Sequence, residues 1–116
     1  MIQGEKTKTY NISADLVPVD IEVIKAYMLG AVNSFCNVQP GEPFSVRILF
    51  GGNNKNWHDT PMQKLYDYYL SQGKSAEEAH QSAAIDAGRL LKAVLERDQR
   101  EFAMVGQETG KQYKLV

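Results

Sequence analysis

Two helix-start signatures, separated by little more than one helix and a Gly73-Lys74 step, constrain this chain more than any other feature. Thr60-Pro61-Met62-Gln63 supplies a hydroxyl acceptor for an N-cap, a proline suited to the first helical position and a Gln that can close a capping box. Ser75-Ala76-Glu77-Glu78 repeats the capping box with Ser75 and Glu78. Between them Met62, Leu65, Tyr66 and Tyr69 gather on one side of a helical wheel, and Gly73 is placed to end that helix in the left-handed conformation. The second helix carries Ala76, Ala79, Ala83, Ala87, Leu90, Leu91 and Val94 as its apolar stripe. Small side chains on its first half permit close approach, and the short connection makes the two helices neighbours. Residues 60–98 therefore predict a helix pair.

The flanking sequence adds strands and one more helix. Residues 6–12 alternate Lys8, Tyr10 and Ile12 against Thr7, Thr9 and Asn11, which predicts a strand. Pro18, Asp20 and Glu22 mark a helix start, and Ile21, Ile24, Met28, Ala31, Val32 and Phe35 recur at three- and four-residue steps. Residues 37–43 break that pattern with two prolines and a glycine. Phe44, Val46, Ile48 and Phe50 alternate with Ser45, Arg47 and Leu49, the period of a half-buried strand. In the tail, Phe102 to Gly106 and Gln112 to Val116 flank a Gly-containing turn and predict a closing hairpin. The expected fold is one α+β domain over residues 1–116, ordered β-α-β-α-α-β-β, a mostly antiparallel sheet with helices on one face.

Composition narrows the function. The chain has 116 residues, a formal net charge of -1 and a sequence pI near 6.1. That balance argues against a dedicated grip on nucleic acid and against an anionic membrane surface. Lys6, Lys8, Lys111 and Lys114 could align if the terminal strands pair, but edge lysines also guard against edge-to-edge aggregation. No apolar leader or Arg-rich transit pattern follows Met1, so a cytoplasmic location is expected, and the Asn11-Ile12-Ser13 sequon is read as chance. Cys36, the single cysteine, lies near the end of a predicted helix and reads as a small buried apolar group.

The loop 51–59, Gly-Gly-Asn-Asn-Lys-Asn-Trp-His-Asp, is the sequence's best candidate site, because it joins a predicted strand to a capped helix. Asn53, Asn54, Lys55, His58 and Asp59 could hydrogen-bond a ligand or partner, Trp57 could supply a contact surface, and Arg47 and Tyr69 could complete the lining. The plainer alternative is a turn rich in Gly and Asn for conformational reasons, with Trp57 plugging the helix pair, and this is preferred. Gly51-Gly52 with Lys55 lacks the Gly-Lys-Ser/Thr ending of a phosphate loop. His58-Asp59 could orient an imidazole, yet no nucleophile or third group accompanies it. His80, with Asp59, Asp86 or Glu77, lacks metal-ligand spacing. No catalytic residue, metal or cofactor is assigned.

Off-stripe apolar residues on the helix pair, Ile85, Tyr68 and Leu70, point instead to association. The expectation is a non-catalytic accessory protein that self-associates, most simply as a homodimer, and binds a protein partner. A small-molecule-binding or enzymatic site at the 51–59 loop is the alternative, and nucleic-acid binding is the least favoured reading. The runs Asn53 to Gln63 and Ala83 to Leu91 give the chain a look similar to the small orphan proteins of bacterial mobile elements, such as integron gene cassettes. That resemblance spans about half the chain without a diagnostic motif, and implies an accessory role without implying a fold or an activity.

Overall fold

The computed structural model describes residues 1–4, 11–51, 57–106 and 111–116. Among them the elements run α1 (Pro18–Val38), α2 (Val46–Phe50), α3 (Gln63–Ser71), α4 (Ala76–Arg97), β1 (Phe102–Gly106) and β2 (Gln112–Leu115). The α+β class holds. The expected element order does not.

The α3–α4 pair forms for the reasons written in its local sequence. Gly73 takes φ 85°. Its N–H bonds the Leu70 carbonyl at 3.0 Å, while the Lys74 N–H reaches back to the Tyr69 carbonyl at 3.2 Å. Those two bonds make a Schellman motif, which satisfies carbonyls that the end of α3 would otherwise leave open. Two residues later Ser75 accepts from the Glu78 N–H, and Glu78 accepts from the Ser75 N–H, so both halves of the expected capping box are present. Ala79, Ala83 and Ala87 are then fully buried, as is Leu65 of α3. Ala76, the first member of the expected stripe, is exposed.

Helix α4 is the hub, meeting α1, α2 and α3. Helix α1 turns Ile24, Met28, Val32 and Cys36 inward at four-residue steps. Ile21, Ala31 and Phe35 pack against the same core from its margins. No side chain caps its N-terminus. Pro18 stands at the first turn instead, where its missing N–H costs nothing.

The strand expected at 44–50 is a correction. Only Phe44 is bridged as in a strand, exchanging backbone hydrogen bonds with Tyr113 at 2.7 and 2.8 Å. Ser45 then accepts from the Ile48 N–H and starts α2. Alternation and helical spacing both suit this short run. Burial chooses the helix, because Val46 and Phe50 are one turn apart and buried, whereas Ile48 is half exposed. The Ser45 cap was the signal that distinguished the two readings.

The start of α3 is a second correction. Thr60 is not its N-cap: the Thr60 hydroxyl donates to the Trp57 carbonyl at 2.7 Å. Residues 60–62 form tight turns, with Gln63 N–H bonding Thr60 O and Leu65 N–H bonding Met62 O, and α3 begins at Gln63. The Gln63 side chain turns forward to Asp67 rather than back, so the first capping box does not form.

The closing hairpin forms as expected, β1 antiparallel to β2, with Phe102 opposite Leu115 and Met104 opposite Tyr113. Single bridges extend it on both sides, Ile2 parallel to Phe102 and Phe44 antiparallel to Tyr113. Phe44 meets the Phe102 ring edge-on at 6.0 Å and lies 5.4 Å from the Phe35 ring, which joins the hairpin to α1. The strand expected at 6–12 falls mainly outside the described residues, and Asn11 and Ile12 are not in a strand. No helix of the described residues is long and apolar enough to cross a membrane.

Ser75→Ala removes the cap acceptor of α4 and should cost about 1 kcal/mol. Urea unfolding should show that loss as a lower midpoint with an unchanged slope.

Candidate functional site

Of the residues proposed for a site at the 51–59 loop, Asn53, Asn54 and Lys55 lie outside the described residues. Trp57 is only 2% exposed and belongs to the core. Its indole N–H finds no acceptor among the described residues. The plug that the composition suggested is the observed role. His58 and Asp59 stand side by side, Nε2 to Oδ2 3.5 Å, but their side chains are 85% and 88% exposed. So exposed a pair gains little from its charges in water. Asp59 adopts φ 61°, a left-handed conformation that Asp tolerates better than most residues. Arg47 is exposed on α2.

Tyr69 is the exception, and its partner went unrecognised in the sequence. Its hydroxyl donates to Asp86 Oδ2 at 2.5 Å. Asp86 is fully buried on α4, and its carboxylate also accepts from the Ser13 N–H at 2.9 Å and the Ala14 N–H at 3.1 Å. One carboxylate thereby ties α3, α4 and the segment leading into α1. Arg89, one turn further along α4, reaches the Asn11 carbonyl and the Ser13 hydroxyl at 3.5 Å each. Burial first, and then the bond to Asp86, pushes the Tyr69 phenol well above its ordinary range. A carboxylate filled by three protein donors is a staple rather than a reactive group. The sequence signal was available: Asp86 sits beside Ala87 and one turn from Ala83 and Leu90, a charged residue at core spacing.

A second polar cluster closes the far end of α4. Arg100 grips Asp98 through Nε and Nη2 at 2.9 and 2.7 Å and donates to Asn33 Oδ1 on α1 at 2.7 Å. The Arg100 side chain, through these bonds, holds the Asp98 carboxyl below its ordinary value. Burial pushes the neighbouring Cys36 thiol up. The Met1 amino group donates to the Asp98 and Arg100 carbonyls, at 2.6 and 2.5 Å.

The surface shows its main asymmetry on α1. Val17, Val19, Val23, Tyr27, Leu29 and Val38 are all exposed. Ala26 and Gly30 are exposed beside them, and a Cβ added at Gly30 would meet nothing within 4 Å. Beside this face an open groove runs between α1 and the end of α4. Ala26, Leu29 and Val94 are its apolar members, and Glu22, Lys25, Arg97 and Asp98 its charged ones. The helix pair also exposes Ile85 and Leu70, as the sequence suggested, whereas Tyr68 is half-buried against the core. The signal missed on α1 was Val19 and Val23, one turn apart on the side opposite the recognised stripe.

Comparison of the chain with protein-family models, with curated proteins and with solved structures returns no match in any of the three.

Asp86→Ala leaves three donors without their acceptor and should destabilise the fold by roughly 3–5 kcal/mol, against about 1–2 for Tyr69→Phe. The native phenol titrates above its unfolded value of about 10. Its contribution is therefore complete below that pH and is lost as pH rises through the native value, because the unfolded chain releases the proton first. Tyr69→Phe should flatten this alkaline loss in denaturant midpoints measured from neutral pH upward. At the loop, Asp59→Val should cost about 1–2 kcal/mol through its left-handed backbone. Asp59→Gly and His58→Ala should stay within about 0.5 kcal/mol of the parent in the same measurement.

Proposed function

We propose that this chain is a non-catalytic protein-interaction module, and that its contact surface is the outward face of α1. The observation carrying this reading is that the N-terminal half of α1 is apolar on both sides of its wheel. Ile24, Met28 and Val32 point into the core, while Val19, at 65% exposure, and Val23, at 49%, point away from it. A helix with apolar residues all round is ordinarily covered all round. Scattered exposed apolar groups need no explanation, whereas a run of them along one helix marks a contact surface.

The polar chemistry of the described residues supports the same reading. Tyr69 and Asp86 satisfy each other, Arg100 and Asp98 do likewise, and His58 and Asp59 stand in water. Their geometry explains cohesion of the fold without any reacting group. The accessory role suggested by the cassette-like residue runs is compatible with such a module, and a protein partner, rather than a nucleic acid, fits an uncharged face.

A photo-crosslinking residue at position 23, introduced into the chain in its source cells, should yield discrete protein adducts. The same group at Glu77, exposed on α4, is the control. Equal labelling at the two positions would remove α1 as the contact surface.

A further inference from the structure

We draw no further inference here: the strongest candidate, the open groove between α1 and the end of α4 beside the exposed Val19 and Val23, carries none, because its apolar floor of Ala26, Leu29 and Val94 is rimmed by charges of both signs and nothing in the structure shows what covers it.

Discussion

The buried Asp86 carboxylate is the interaction on which the arrangement of this chain depends. A full charge removed from water is costly unless its lone pairs are filled, and here they are filled by donors from three places. Tyr69 contributes from α3, and the Ser13 and Ala14 amides from the segment entering α1. The alanine stripe brings α3 and α4 together, but small apolar residues alone leave their mutual rotation loosely determined. One directional cluster between them removes that freedom. The same carboxylate fixes where the chain leaves the helix pair to begin α1, and so which side of α1 meets the core.

At the C-terminal end of α4 a second set of polar bonds does the complementary task. Arg100 holds Asp98 and Asn33, and the Asp98 and Arg100 carbonyls receive the Met1 amino group. This end ties α1, α4 and the hairpin, with Phe102 beneath the Arg100 guanidinium at 5.5 Å. Helix α4 is therefore anchored at its middle and just beyond its C-terminal end by charge-assisted bonds and along its length by apolar contact. Leu90 to Leu95 are continuously buried, and Asp86, the buried acid one turn before Leu90, has its partners supplied. With its inward side held by this framework, α1 is left with Val19 and Val23 turned to solvent on its other side.

Much of this architecture was legible locally. The Gly73 stop and the Ser75–Glu78 box are satisfied within a few residues, so their sequence signals translate directly into structure. The α1 stripe and the closing hairpin follow from period and turn chemistry in the same way. Residues 44–50 were misread because alternation over so short a run is compatible with either period, and the Ser45 cap was outweighed by the apolar pattern. Thr60 does not cap α3 because residues 60–62 are held in tight turns and the helix begins only at Gln63. At the loop, Trp57 proved to be core, and the His58–Asp59 pair stands exposed.

Local sequence chemistry, then, was sufficient for the stop of α3 and the start of α4, for the inner face of α1 and for the hairpin, because each depends on partners a few residues away. Only the folded chain could decide that Asp86 accepts from residues more than seventy positions earlier in the chain. Only the folded chain could decide that Phe44 ends its strand after one bridge, and that α1 keeps an apolar side turned to solvent. Those outcomes turn on which surfaces meet in space. A pattern of apolar residues records that a face wants cover, and tertiary contact alone determines whether it has received it.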